Sequence, residues 1–511
     1  MPSDKNIIKF ILAVLGLFTL IMGVLIFIHP TAIYPDPSMG FQVLRSMRMG
    51  APFNVLVSPD TADIAQNTDR FLSWWSPGQY LVPYLFVGLF KLNLGQATAV
   101  VSTLGSVIGL AGLYVFFKKI GFTPLISAIS IAFIASQQAY FIPFVFYNGG
   151  EVLVFAFSGW FLYGCACFTK PSWQMFVFLL SSGVIGFFCK SAFLWIFLSG
   201  ALYLWIQLSN GKKLISWIIN GISIGIPFIL SLGIIYIAYL SKGDNPASDA
   251  MGIKLAWETF SFPLASPLLA AFSIDDITNG IINQPIGILI LLALLSLGLV
   301  IYCFKSIPNN NYTLLLGILY GVAVLFYGAN FLRQANISYE ARHMRLMGLI
   351  ITPAIIYLLS RIKPMYWTVL AVMWLFILNK NYKFTTGEYH RNASQASHGS
   401  TGLAQIFIDQ PTLNYITQLD KQQSNAIFVF TSADIGLEIN HGRIIIVPEI
   451  DGALQPDRPL DNYPGHDGPV YIVLPKACMG AKADMYMKEF PGYTNFVLHQ
   501  PGKDYVVYAA Q

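Results

Sequence analysis

The first 380 residues are a succession of apolar stretches, and that succession stops abruptly. A helix needs roughly 20 apolar residues, at about 1.5 Å rise each, to cross a hydrocarbon core of about 30 Å. Ile7–Ile28 meets that length. It is too long for a signal-peptide core and lacks a small-x-small cleavage site, so it reads as an uncleaved anchor. Further candidate spans are Ala97–Phe117, Pro124–Phe144, Val152–Phe168, Trp173–Phe188, Ala192–Gln207, Leu214–Leu240, Pro285–Phe304, Tyr312–Tyr327, Leu346–Ser360 and Tyr366–Leu378, making about eleven. Only 11% of the 511 residues are charged, against roughly 25% in a soluble chain. With 55% hydrophobic residues and a mean hydropathy of +0.60, disorder, coiled coil and collagen are excluded. A polytopic α-helical membrane protein remains. The net charge of +5 comes without a basic run, which argues against nucleic acid. Four of the five cysteines sit in apolar stretches, and no CxxC or metal-ligand spacing occurs, so neither a disulfide framework nor a zinc site is indicated.

The acids divide the chain. Twelve of the 25 Asp and Glu residues lie in the first 380 positions and thirteen in the last 131. Lys5 and Lys9 place the N-terminus in the cytoplasm. Threading the spans alternately then puts Lys118, Lys119, Lys170, Lys212, Lys213, Lys305, Arg361 and Lys363 on the cytoplasmic side and every acid from Asp36 to Glu340 outside. This holds only if Tyr80–Leu94 is a helix lying in the outer interface rather than a span, with Trp74 and Trp75 as headgroup anchors. The result is a membrane domain over 1–380, with outer loops at 30–96 and 241–283. An extracytoplasmic domain over 381–511 follows. In it, Ala426–Phe430, Ile444–Val447, Val470–Leu474 and Tyr505–Tyr508 read as strands, while Pro411–Leu419 and Ala481–Phe490 read as helices, a small α/β arrangement.

Charged groups at or in a membrane are costly, so each needs an account. Asp36-Pro37 reads as a helix start, with Asp36 as N-cap, opening Ser38–Met49 before Gly50. The same carboxylate suits a general base held at the membrane surface. Lys190 interrupts the apolar run FVFLLSSGVIGFFCKSAFLWIFL; it either snorkels to the headgroups or holds an anion. Glu151, at the outer start of a span, is favoured there by the helix dipole, and it is also a candidate second carboxylate facing the same cavity as Asp36. Phe331–Arg345 packs Arg333, Arg342, Arg345, His343 and Glu340 into fifteen residues. Arg342 and Arg345 share a helical face, and guanidinium forks suit phosphate oxygens, the alternative being pairing with Glu340 or with lipid headgroups. His343 alone reads as structural. The sequons at Asn336 and Asn392 are too short a pattern to carry weight.

Four ordered matches resemble the GT-C superfamily of membrane glycosyltransferases, which includes the protein O-mannosyltransferases and the aminoarabinose transferase of lipid A. Asp36, Arg45, Arg48 and Gly50 resemble the family's D-E-x-x-Y…R-x-x…G segment. Trp74-Trp75-Ser76-Pro77-Gly78-Gln79-Tyr80 is similar to W-x-P-P-G-Y. Gly186-Phe187-Phe188-Cys189-Lys190 is similar to G-x-x-x-L-T-K, and Tyr339-Glu340-Ala341-Arg342-His343 to E-R-Y. The first acid is followed by Pro37 where the family usually has a second acid, which makes Glu151 the best candidate for that role. The resemblance, over about residues 1–380, implies an inverting transfer from a polyprenyl-phosphate sugar to an acceptor hydroxyl or amine at the outer face of a bacterial inner membrane. In that scheme Asp36 is the base, Lys190, Arg342, Arg345 and Arg333 hold the donor phosphate, and Trp74, Trp75 and Tyr80 meet sugar or lipid. The acceptor, whether lipid, glycan or protein, is not specified. A lone acid makes a poor Mg²⁺ site, so no metal is indicated, although a divalent ion stays open. The rival readings are a polysaccharide polymerase or ligase, and a lipid or sugar flippase. The second lacks the paired broken spans of transporters.

Overall fold

Helices dominate the computed structural model, which describes residues 4–73, 75–243, 251–362, 365–450, 454 and 460–510. Trp74 and Lys363 lie outside the described residues. Among those described, seven helices are long and apolar enough to cross a membrane: Asp4–Ile28, Leu94–Lys119, Gly150–Cys167, Leu214–Lys242, Ile286–Ser306, Asn310–Leu332 and Ala341–Leu359. Trp173–Cys189, Phe193–Ser209 and Gly78–Phe90 are shorter apolar helices. The Gly78–Phe90 helix has 13 residues, roughly 20 Å of rise, which falls short of a hydrocarbon core.

Pro124–Phe144, expected as one span, is two helices bent by 70°. The break falls in the polar triplet Ser136-Gln137-Gln138, and a later helix, Met365–His390, satisfies it. Asn381 donates to the Ser136 carbonyl, and Trp374 Nε1 donates to Ser136 Oγ at 2.9 Å. Backbone groups freed at membrane depth need such partners. The region 241–283, read from sequence as an outer loop, contains the fifteen-residue helix Trp257–Ala271 with Pro263 and Pro267 inside it. The groups its prolines disturb are met by neighbours. Tyr320 donates to the Leu264 carbonyl at 2.8 Å, while Ser296 Oγ donates to the Ala265 carbonyl at 3.1 Å and accepts from the Leu268 N–H at 3.4 Å. A Cβ on Gly348 would lie 2.5 Å from the Ala271 nitrogen. Only glycine permits that backbone contact between the two helices.

The chain forms two compact units. One comprises Met1–Gly23, Ser102–Pro143 and Gly149–Thr386. Beyond Lys118 and Lys119, Phe122 packs edge-on against Tyr312 at 4.7 Å and Tyr357 at 6.4 Å, and Arg361 lies 4.6 Å over the Tyr357 ring. This end is basic. The acids Glu151, Asp275, Asp276 and Glu340 sit at the other helix ends.

The second unit comprises Val24–Val101, Phe144–Asn148 and Gly387–Gln511. Its five-stranded sheet runs Val497–His499, Tyr505–Ala510, Val470–Pro475, Ile427–Phe430, Arg443–Ile446. The last three are mutually parallel, and the first two are antiparallel. Alternation along Ile427–Phe430 places Ile427 and Val429 with Ala483 and Tyr486 of the helix Ala481–Lys488. Phe428 and Phe430 pack with Leu413 and Ile416 of the helix Gln410–Gln422. Both faces are covered, as parallel strands require. Ile64, from the 30–96 loop, is fully buried in the first of these cores, and its N–H donates to the Pro464 carbonyl at 2.8 Å.

The same unit holds the helix Pro35–Arg48. Gln42 donates to the Ala433 carbonyl at 2.7 Å, and Arg45 donates to the carbonyls of Ile439, at 2.6 Å, and Gly442. Burial lowers the Arg45 pKa to about 10, with Asp420 opposing the shift. Asp420, 2% exposed, organises the receiving loop by accepting the N–H groups of Asn440 (2.8 Å), His441 (3.0 Å) and Gly442 (2.7 Å). Burial alone would raise its carboxyl, but those bonds outweigh it and hold the group below its usual range. A depressed acid contributes stability above its unfolded value of about 3.9, and that stability is lost as pH falls through the folded value. Asp420→Asn should cost about 2 kcal/mol at neutral pH and flatten the acid limb of the unfolding profile. Thermal unfolding between pH 7 and 3 checks this, and an unchanged acid limb would contradict it.

Candidate active site

Lys190 follows the helix Trp173–Cys189 in extended conformation, just before the chain re-enters a helix at Phe193. This break sets an ammonium at a junction of two apolar helices. The preceding helix, Gly150–Cys167, starts beside it. Gly149 takes a φ of +60° there, and a Cβ on Gly150 would lie 2.8 Å from the Cys189 carbonyl oxygen. The Gly149-Gly150 pair thus lets the start of one helix meet the end of the next, with Glu151 on the first turn. Glu151 Oε1 contacts Lys190 Nζ and lies 3.9 Å from Arg342 Nη1.

Arg342 comes from the 3₁₀ turn Ala341–Met344, and Arg345 opens the helix Arg345–Leu359. Asp275 fixes this turn. Its carboxylate, 7% exposed, accepts the Ile281 N–H at 2.8 Å on one oxygen and the Ala341 N–H at 2.7 Å on the other. Tyr327 OH donates to the His343 carbonyl at 2.8 Å, which pins the backbone of this turn. Arg342 Nε lies 2.5 Å from Glu340 Oε2, and Arg345 Nη2 lies 3.8 Å from Asp276 Oδ1. Burial pushes the Asp276 carboxyl up; Arg345 opposes this, while Asp275 and Glu340 reinforce it. Three cations therefore face Glu151, Glu340 and Asp276 at one end of the helical unit. The ammonium and two guanidinium forks match the donors that phosphate oxygens take, in a partly desolvated place where such bonds are strong.

The structure brings Glu151, Lys190 and Arg342 into one cluster, with Arg345 beside Asp276. Arg333 is exposed at the end of the helix Asn310–Leu332 and is not one of these ion pairs. Asp36 belongs to the other compact unit. It is not the N-cap expected from sequence. The helix starts at Pro35, Tyr34 is the N-cap, and half-buried Asp36 lies inside the first turn. The cause is tertiary: the Tyr34 N–H bonds to the Tyr147 carbonyl at 3.2 Å, which holds Tyr34 extended one residue before Pro35. Tyr80, expected to contact substrate or lipid, is only 1% exposed, and its hydroxyl bonds to Asn54. In this structure the ring is core. Trp75 is half-buried. Sequence reasoning missed Gly150, Asp275 and Asp276. The Gly-Gly before a span and the acid doublet in an acid-poor region were the available signals.

The fold is that of the GT-C membrane glycosyltransferases. The chain is similar to ArnT from Cupriavidus metallidurans in the apo state, with a TM-score of 0.52, 11% identity, and coverage of 96% of this chain and 97% of that one. It is likewise similar to the same protein bound to undecaprenyl phosphate, with a TM-score of 0.51, 11% identity, and coverage of 99% and 98%. A mutant of the arabinofuranosyltransferase AftD from Mycobacteria matches with a TM-score of 0.51 and 11% identity, over 98% of this chain and 41% of that one. No family model matches the chain, and no characterised protein matches its sequence.

Gly150→Ala should drive the two helix ends apart at Cys189, because a backbone oxygen cannot move aside cheaply. Overpacking of this kind costs about 1–3 kcal/mol. A lowered unfolding temperature in detergent checks this, and wild-type stability would contradict the assigned contact.

Proposed function

We propose that the protein is a glycosyltransferase that moves a sugar from a polyprenyl-phosphate donor to a hydroxyl or amine acceptor at the extracytoplasmic face. The observation that carries this reading is the gathering of Lys190, Arg342 and Arg345 at one end of the helical unit. The reading gains support from the likeness to ArnT, which has been solved with undecaprenyl phosphate bound. The cations hold the donor phosphate and stabilise the charge that collects on it as the glycosidic bond breaks. Asp36 takes the acceptor's proton, and the acceptor attacks the anomeric carbon from the face opposite the phosphate, inverting it. Phosphate is already a competent leaving group, so the paired carboxylates of glycoside hydrolysis are not needed.

In this reading the bent helix pair and the helices Trp173–Cys189, Phe193–Ser209 and Met365–His390 join the seven long helices as spans, about eleven in all. The basic end holding Lys118, Lys119 and Arg361 faces the cytoplasm of a bacterial inner membrane, as does the N-terminus. The 381–511 region is then extracytoplasmic.

Asp36→Asn should lower transfer from a labelled polyprenyl-phosphate sugar at least 100-fold, with membrane insertion and unfolding temperature unchanged. Product analysis should show one sugar added and a polyprenyl monophosphate left. Full activity in Asp36→Asn would remove Asp36 from the mechanism. A polyprenyl diphosphate product would favour a polymerase or ligase instead.

A further inference from the structure

Glu151 places one carboxylate oxygen against Lys190 Nζ and 3.9 Å from Arg342 Nη1. A phosphate oxygen bound by the same two cations would take that position. The side chain is 11% exposed and the Lys190 side chain 23%, so neither charge is well served by water. Resting on the function proposed above, the geometry points to Glu151 as a built-in competitor for the phosphate site, one that limits how tightly the spent carrier is held.

The need for such a competitor follows from the charges. The donor is a phosphodiester with one negative charge. When the bond from the anomeric carbon to the phosphate oxygen breaks, its electron pair stays on that oxygen. The acceptor oxygen or nitrogen bonds to the carbon and its proton leaves to a base. The carrier is then a phosphate monoester, which carries up to two charges. A purely cationic site would therefore grip product more strongly than substrate and turn over slowly. Glu151 is tethered between the same cations and offsets that preference. As the lipid phosphate leaves, the carboxylate returns to Lys190 and Arg342, so neither cation is left desolvated and unpaired, the costly state for a buried ion. Arg345 pairs instead with Asp276, and Arg342 also has Glu340. Lys190, paired with Glu151, is the group most exposed to the exchange.

The test is equilibrium binding of radiolabelled undecaprenyl phosphate to the purified full-length chain in detergent. Glu151→Gln should bind it at least tenfold more tightly than wild type and show a larger ligand-induced rise in unfolding temperature. Glu151→Asp, whose shorter arm draws the carboxylate away from Lys190, should tighten binding by a smaller factor and serves if the glutamine variant does not fold. Lys190→Gln should weaken binding at least tenfold and abolish the gain when combined with Glu151→Gln. If wild type binds through Lys190 but neither Glu151 variant binds more tightly, the competitor role is wrong and the glycosyltransferase reading stands. If wild type does not bind undecaprenyl phosphate, or binds it without regard to Lys190, both fall.

Discussion

A charge set at the end of an apolar helix must be compensated, and in this chain that requirement decides where helices start and stop. Lys190 is tolerable between two apolar helices because Glu151 meets it. Glu151 can reach because Gly150 brings the helix Gly150–Cys167 against the Cys189 carbonyl. The same requirement extends to the segment 340–345. There Arg342 and Arg345 are balanced by Glu151, Glu340 and Asp276, and Asp275 gives its carboxylate to two backbone N–H groups. Each residue in the cluster would be costly alone. Together they form an anion-exchanging centre in which the resident anion is a side chain.

The second compact unit uses the same economy for a different end. Asp420 gathers three N–H groups of the 440–442 loop, and the carbonyls of Ile439, just before that loop, and Gly442, its last residue, accept from Arg45. Arg45 lies on the helix that carries Asp36, so the α/β region 387–511 fixes that helix through main-chain contacts. Ile64, filling the core beneath the sheet, does the same for the hairpin of the antiparallel strands Val55–Pro59 and Asn67–Phe71 in the 30–96 loop. The region beyond residue 387 therefore contributes to holding the proposed base, whatever else it binds.

Most of the helical plan was legible because a membrane span is set by length and apolarity, both local properties. The tail strands were legible too: Ile427–Phe430 and Val470–Pro475 lie within one residue of the expected limits, since strands buried on both faces read as short apolar runs between Gly and Pro. The failures share one cause, which is that the deciding partner is remote in sequence. Pro263 and Pro267 made Trp257–Ala271 look like loop, because Ser296 and Tyr320 supply its missing bonds. Ser136 could not be read as a bend without Asn381 and Trp374. Tyr147 moved the N-cap from Asp36 to Tyr34. Of the candidate site, Glu151, Lys190, Arg342 and Arg345 were each visible as charges out of place. Their pairing was not, because Glu151 and Lys190 stand 39 residues apart, one in the first turn of a helix and the other just past the end of the next.

Glu151 and Lys190 form one electrostatic unit, and a double-mutant cycle on unfolding free energy measures this most directly. Glu151→Gln, Lys190→Gln and the double variant should give a coupling of roughly 1–3 kcal/mol, with the double variant more stable than either single change would suggest. Strictly additive effects would mean that the two charges do not depend on each other, and the pairing of Glu151 with Lys190 would not be what holds the cluster together.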